Sequence, residues 1–436
     1  MRKEINFKVD DILKFKAALL EWAQQFEEIV WLDSNEHETR YTSFDALLAA
    51  DALTSIISDS TDAFMNLEEY QSRTKDWIFG YLSYDLKNDV ENLTSDNFDE
   101  LDFPDLFFFQ PKRIISISGT EVCFKYLNMV SDEIETDFKS VLGLKTVPTV
   151  QEPSVVPIRI RMRIFKDEYY KRVHRMLAHI HRGDIYEANF CQEFYAEDTE
   201  IEPLETYQQL NAISKPPFAT YLRLQNQYVL SASPERYLKK LGDKVISQPI
   251  KGTARRSSQR DEDQRLKSTL QHDEKERAEN IMIVDLVRND LAKNALKGSV
   301  TVEELCGVYS FEQVHQMVST VSAKVKANEK PVDIIKHTFP MGSMTGAPKV
   351  SAMKIIEELE SFKRGVYSGA VGYFAPDGDF DFNVIIRSIL YNQNKRYVSF
   401  SVGSAITAKS IPENEYEECL LKAKAMREVL EESRKG

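Results

Sequence analysis

The chain has 436 residues, 42% of them hydrophobic, and a formal net charge of −13. That length accommodates about two or three average domains or one large intertwined one, with ample apolar surface for a core. The negative balance argues against a nucleic-acid partner held by phosphate neutralisation, but a local field can still hold an anionic small molecule. Four cysteines (Cys123, Cys191, Cys306 and Cys419) lack metal-type spacing and fit a reducing compartment. No apolar segment follows Met1-Arg2-Lys3 and no apolar run reaches spanning length, so a soluble, cytoplasmic protein without membrane association is expected.

In chain order, residues 10–30 have the spacing of an amphipathic helix, followed by a strand at Ile29-Val30-Trp31-Leu32. Phe79 to Tyr84 reads as another strand, and residues 107–127 as a hairpin around Ser118-Gly119-Thr120. The stretch 140–157 carries three prolines and little periodicity. It marks a linker, placed at 141–160, between an N-terminal unit (1–140) and the remainder (161–432). Residues 166–182 are predicted helical and Ile185 to Phe194 a strand. Tyr221 to Ser231 and Tyr237 to Ile250 are hairpins turning at Gln225-Asn226-Gln227 and Gly242-Asp243. Residues 254–272 are charged and aperiodic, which predicts an exposed loop. Helices are expected at 273–293, 331–338, 348–361 and 412–433, and several strands between Ser368 and Ile406. Many hairpins with helices between them point to an α+β fold with antiparallel sheets.

Chemistry concentrates in a few places. Pro249-Ile250-Lys251-Gly252-Thr253-Ala254 follows a predicted strand and sets an amine beside a hydroxyl, with Gly252 permitting close backbone approach. Lys251 there can be a nucleophile, a phosphate clamp or a surface charge. Glu235, in Ser233-Pro234-Glu235-Arg236, lies across the second hairpin and can serve as a proton donor in the same pocket, or be a turn residue paired with Arg236. On 273–293, Glu279 falls on the stripe of Met282, Ile283 and Leu286, with Glu276 at its edge. On 412–433, Glu418 shares a stripe with Leu421, Ala425 and Val429, flanked by Glu415 and Lys422. Carboxylates facing apolar surroundings need a cation or a proton. Either they form salt bridges with Lys or Arg, or they hold Mg²⁺, which takes a few carboxylates and leaves positions for an anionic substrate. Gly342 to Lys349 is a glycine- and hydroxyl-rich loop opening a helix, suited to an anion but without P-loop spacing. Arg387, placed inside a strand running from Asp381 to Leu390, suits bidentate carboxylate recognition or pairing with a strand acid such as Asp381. Near the last strand end, Gly403-Ser404-Ala405 offers backbone donors.

These motifs, together with Gly183-Asp184-Ile185-Tyr186, Asp285-Leu286-Val287-Arg288-Asn289-Asp290, Gly369-Ala370-Val371-Gly372-Tyr373 and Ile386-Arg387-Ser388, resemble the chorismate-utilising enzyme family over roughly 165–430, with a fainter match at the N-terminus. The resemblance implies a large α+β sandwich of two antiparallel sheets faced by helices, with the active site between them. It implies that Mg²⁺ is held by Glu279 and Glu418 with Glu276 and Glu415. Arg387, Tyr367 and backbone near Gly403 and Ser404 would hold the other substrate carboxylate, with Gly252, Thr253, Thr345 and Lys422 lining the substrate.

Within the family, Lys251 points to the branch that aminates chorismate at C4, through a covalent lysine intermediate and with Glu235 as proton donor, in p-aminobenzoate and folate biosynthesis. The alternatives are the anthranilate-forming branch and a silent scaffold for an amidotransferase. No Gly-x-Cys-x-Gly elbow is evident, so ammonia is expected from a separate glutamine amidotransferase subunit in a heterodimer. Lys251 must be neutral to attack, and burial near a metal is expected to depress its pKa. The pattern is departed from at Glu187 (Gln in close relatives), at Gln316 beside His315 (usually His), and at Ala405 (usually Gly). Relatives also hold tryptophan in an N-terminal, non-catalytic pocket. Ser34, Thr42, Ser43, Pro217, Phe218 and Ala219 fall there, where apolar packing with incidental hydroxyls is an equally good account.

Overall fold

A computed structural model of the chain describes residues 1–37, 40–144, 158–312 and 314–432. Most of the expected linker, 145–157, lies outside the described residues.

The strands are joined in one hydrogen-bonded network in which the ladders between named strands are all antiparallel, and it has two wings. The first wing runs, neighbour to neighbour, through Arg2–Lys8, Glu121–Leu127, Leu106–Ser118, Ala46–Ser58, Glu28–Asp33, Phe218–Leu224, Gln227–Ser233, Ser388–Asn392, Tyr397–Thr407 and Glu187–Ala196. The second leaves Leu106–Ser118 through Ile78–Leu82, Ala370–Phe374, Phe380–Val384, Arg236–Leu241 and Lys244–Gln248 to Val314–Lys324. That last strand also takes Ile250–Arg255 and Thr301–Ser310. The wings meet at the two long strands, Ala46–Ser58 and Leu106–Ser118. Their register breaks between Ala52 and Thr54, next to Asp51 at a φ of 64°. A bulge of this kind bends and twists a ribbon, so one pair of strands serves both wings.

Side-chain alternation then makes two cores. Between the wings, Val30, Leu222, Val229 and Leu390 of the first meet Phe79, Phe374, Phe382 and Leu238 of the second, with the Phe374 and Phe382 rings edge-on at 5.0 Å. Each such side chain contributes about 1.5–3 kcal/mol on burial. A second core, built on Trp31, Tyr221, Phe194 and Phe400, is closed by helices Ile12–Ala23, Lys166–Arg182, Pro203–Ser214, Lys349–Leu359 and Pro412–Glu432. The α+β, antiparallel architecture is the one expected. Strands of 1–140 join strands of 161–432 once in each wing, Glu28–Asp33 beside Phe218–Leu224 and Ile78–Leu82 beside Ala370–Phe374, so the two regions share both cores.

Several local expectations are corrected. The helix expected over 10–30 is Ile12–Ala23, started by Asp11, whose carboxylate accepts from Lys14 N; the chain has turned by Glu28. The loop expected at 254–272 is mostly the helix Arg260–His272. It is held by Asp261, Glu262 and Asp263 in its first turn and buries only Leu270, so apolar periodicity could not reveal it. Arg387 is not inside a strand: the strand ends at Val384 and Arg387 turns the chain at a φ of 51° before Ser388 starts the next. On the last helix Glu415, Tyr416, Cys419, Ala423, Met426, Val429 and Leu430 are buried; of the stripe expected beside Glu418, Val429 is therefore inside, whereas Leu421 is 72% exposed. Glu418 therefore sits beside the apolar face, and Glu415 is the acid that enters it.

Candidate active site

Lys251 is placed by a break in its own strand. The ladder between Ile250–Arg255 and Val314–Lys324 slips between Ile250 and Thr253, and Gly252 adopts a φ of 87°. A Cβ on Gly252 would lie 3.0 Å from Glu276 Oε2, so glycine is what lets the strand meet the first turn of helix Glu274–Ala292. The Lys251 ammonium donates to Glu187 Oε1 at 3.0 Å. Burial pulls its pKa down, but the carboxylates of Glu187, Glu279 and Glu235 outweigh this and raise it above the ordinary lysine value. Three carboxylates thus surround the amine, and among the protein groups alone they favour its charged form.

Glu235 is buried directly after the strand Gln227–Ser233, and its backbone carbonyl accepts from Val384 N. Burial pushes its carboxyl up to about 7, against opposing help from the Ser343 hydroxyl, Lys251, the Ile250 N–H and Arg387. A carboxyl titrating near neutrality can hold a proton and release it. A narrow crevice, about 330 Å³ including its opening to solvent, adjoins it, lined by Glu235, Tyr237, Ser247, Asp290, Gly342 and Ser343 among others. Arg387 has its pKa lowered by burial, opposed by Glu235, and no hydrogen bond or ion pair from its guanidinium is found among the described residues. That leaves its five N–H donors for a ligand.

Four acids gather where the starts of helices Glu274–Ala292 and Pro412–Glu432 converge. Lys275 lies between them, 3.8 Å from Glu279 Oε1 and 3.8 Å from Glu415 Oε1. Glu279 is buried, its Oε1 has no hydrogen-bond partner, and burial with Glu276 nearby pushes its carboxyl up to about 7 against Lys251 and Lys275. Burial likewise raises Glu276, with Glu418 and Asp273 adding to it. Burial would raise Glu418 too, but Lys422 at 2.7 Å outweighs it and the net shift is downward. The Ser404 hydroxyl donates to Glu415 Oε2, and Lys422 also donates to Gly403 O at 2.8 Å. Among the described residues no three His, Cys, Asp or Glu side chains close up as a finished metal cage. The donors nonetheless suit a small hard dication: all are carboxylate oxygens, one buried oxygen has no hydrogen-bond partner, and two of the acids are raised by burial. The half-exposed Lys275 is the group a cation would displace.

The remaining expected residues divide. Gly403 is pressed against Glu187–Ala196: a Cβ there would lie 2.4 Å from Asn189 Oδ1 and 2.7 Å from Cys191 Sγ. Cys191 in turn donates to the Tyr367 hydroxyl at 3.8 Å, so Tyr367 and Gly403 share one neighbourhood. Thr345 is buried with its hydroxyl turned onto Met341 O and Gly342 O, while Thr253 is exposed. Gln316, paired in register with Thr253, is buried with both amide atoms unpartnered. Ser34, Thr42, Ser43, Pro217 and Phe218 do come together. With Asp33, Arg236, Tyr373, Asp381 and others they line a second cavity of about 590 Å³ including its mouth. Sequence reasoning missed Lys275, whose position next to Glu276 was the available signal, and the bond of Ser343 to Glu235, which only tertiary structure creates.

A family profile described as chorismate binding enzyme matches residues 27–428. Anthranilate synthase component 1 of Thermus thermophilus is 35% identical over 364 residues, covering 82% of this chain and 78% of that one. Aminodeoxychorismate synthase component 1 of Bacillus subtilis is 32% identical over 361 residues, covering 81% and 76%. The crystal structure of anthranilate synthase component I from Streptococcus pneumoniae is similar at a TM-score of 0.75 and 26% identity, over 90% of this chain and 94% of that one. The chain belongs to the chorismate binding enzyme family. Among the described residues no helix is long and apolar enough to cross a membrane.

Proposed function

We propose that the chain is an aminodeoxychorismate synthase component I, which replaces the C4 hydroxyl of chorismate with ammonia to give 4-amino-4-deoxychorismate for p-aminobenzoate and folate synthesis. The observation that carries this reading is a lysine amine in the cleft, surrounded by Glu187, Glu235 and Glu279. Relatives of comparable identity bear both the aminodeoxychorismate and the anthranilate names. Lys251 favours the former, because a nucleophile has no part in a direct attack by ammonia.

Glu279, Glu276, Glu415 and Glu418 would hold Mg²⁺, with Lys275 swung aside. When bound, the ion supplies positive charge for one substrate carboxylate and for the crowded acids. Arg387 takes the other carboxylate, near Tyr367 and Gly403. Ser404 keeps Glu415 oriented, and Lys422 does the same for Glu418. The Lys251 Nζ lone pair bonds to ring C2, the two ring double bonds shift, and the C4–O bond breaks as Glu235 gives its proton to the departing hydroxyl, which leaves as water. Ammonia then bonds to C4, the double bonds return, the C2–Nζ bond breaks, and the proton shed by the new C4 nitrogen returns to Glu235. Two displacements replace one difficult substitution. Ammonia comes from a glutamine amidotransferase subunit paired with this chain, and the residues of the second cavity would take tryptophan or a similar aromatic amino acid.

One assay tests the reading: purified chain with chorismate, Mg²⁺ and an ammonium salt, with products resolved by chromatography and mass. A C4-aminated product lost in Lys251→Ala supports it. Anthranilate as the product assigns the chain to the other branch, and no consumption of chorismate supports the scaffold.

A further inference from the structure

The proposed nucleophile lies against a buried carboxylate, and its amine needs a free lone pair to attack. Its hydrogen-bond partner is fixed with unusual firmness. Glu187 opens the strand Glu187–Ala196, and its backbone is paired with Ala347 on one edge and Thr407 on the other. Gly346 packs so close that a Cβ there would lie 2.1 Å from Glu187 O. The side chain is 1% exposed. Oε1 accepts from Lys251 Nζ at 3.0 Å, and Oε2 is buried without a hydrogen-bond partner.

The other charges facing Lys251 are Glu279 from helix Glu274–Ala292, Glu418 from helix Pro412–Glu432, and Glu235 from its turn; Glu279 also faces Glu187, and Arg387 faces Glu235. None of these is suited to accept the amine's proton. Glu235 must keep its own proton for the departing hydroxyl. Glu279 and Glu418 belong to the acid cluster. Glu187 alone is hydrogen-bonded to Nζ among the described residues, and it is a carboxylate at a position where an amide, unable to take a proton, was expected.

We propose that Glu187 is the base that frees Lys251 for attack: the Nζ–H bond breaks, the proton passes to Glu187 Oε1, and the electron pair left on Nζ bonds to ring C2. Once ammonia has displaced the amine, Glu187 returns the proton to Nζ. The pair exchanges one proton internally, so its total proton count is unchanged through the cycle and the rate is independent of lysine titration around neutral pH. This rests on the reading under Proposed function.

The test compares wild type, Glu187→Gln and Glu187→Asp in the amination assay, at saturating free ammonia, between about pH 6 and 9. Glu187→Gln is expected to lose about 10²–10⁴-fold in kcat near pH 7, with a new limb in which its rate relative to wild type rises tenfold per pH unit, and Glu187→Asp to recover part of the rate without that limb. A Glu187→Gln profile that superimposes on wild type, or runs faster at neutral pH, overturns the proposal. A second readout needs no turnover: acylation of Lys251 by an amine-selective reagent, followed by mass spectrometry against pH. Lys251 should become reactive at lower pH in Glu187→Gln than in wild type, with the same midpoint as the new rate limb, and identical labelling curves overturn the pairing. If wild type makes no C4-aminated product, the functional reading fails on that result, and the labelling arm still decides whether Glu187 holds the lysine's proton.

Discussion

Replacing Glu235 with glutamine should stabilise the fold and silence the enzyme together. The carboxyl is 4% exposed and titrates near 7, against 4.5 for a free glutamate. A folded-state pKa raised in this way means that the native chain binds more protons than the unfolded one between those values, so stability falls as pH rises through the window. Below about pH 4.5 both states carry a neutral acid and the term vanishes. Above about pH 7 the native state holds an ionised, buried carboxylate, at a penalty of about 3 kcal/mol. Glutamine keeps the shape without the charge. Thermal midpoints of wild type and Glu235→Gln, measured with chelator near pH 4.5 and near pH 8.5, should diverge at the higher pH in favour of the variant by on the order of a few degrees. Using the difference between proteins cancels the similar trend from Glu279. Amination should fall by about 10²–10⁴-fold, because an amide has no proton to give. Parallel pH curves for the two proteins would refute the buried-acid reasoning, and an active variant would refute the proton-donor role.

Wild-type kcat/KM for chorismate should decline above pH 7 as Glu235 loses its proton, and a rate still climbing at pH 8.5 at saturating free ammonia would contradict that. Lys251→Ala should remove amination at every ammonium concentration while chorismate still binds, read by equilibrium titration. Ser404→Ala releases Glu415 and should weaken Mg²⁺ binding by about 10–100-fold in calorimetry, so unchanged affinity would separate Glu415 from the metal. Arg387→Ala withdraws an unpaired guanidinium and should raise KM for chorismate by about 10–100-fold, as loss of a charged hydrogen bond of about 1.5–3 kcal/mol implies. An unchanged KM would remove it from the substrate.

Hairpins were the legible part of the fold. Turns such as Gly242-Asp243 and Gln225-Asn226-Gln227 announce themselves through residue type, and the strands around them lie where alternation placed them. The strands Ala46–Ser58 and Val314–Lys324 were not recognised: their buried runs show no period, as in Gln227–Ser233, but neither follows a short turn marked by Gly or Asn. Helix Arg260–His272 escaped for the opposite reason, having almost no buried face. In the site, Glu279 was identifiable because a carboxylate on an apolar helical stripe stands out, and Lys251 and Glu235 because they sit in the motifs Pro249 to Ala254 and Ser233 to Arg236 that carry the family resemblance. Which acid of the last helix points inward was misread, since Leu421 was assigned to a core that it does not touch. The charge state of Lys251 could not be read from one dimension either, because it depends on three acids brought to it from separate elements.

The junctions between early and late strands bear on how the chain is made. Glu28–Asp33 awaits Phe218–Leu224, and Ile78–Leu82 awaits Ala370–Phe374, residues that leave the ribosome long afterwards. Until then the first 140 residues present unsatisfied ribbon edges and a half-covered apolar layer, the features that recruit chaperones and promote aggregation. Premature termination anywhere before the last quarter of the message would therefore leave a sticky fragment instead of a smaller working protein.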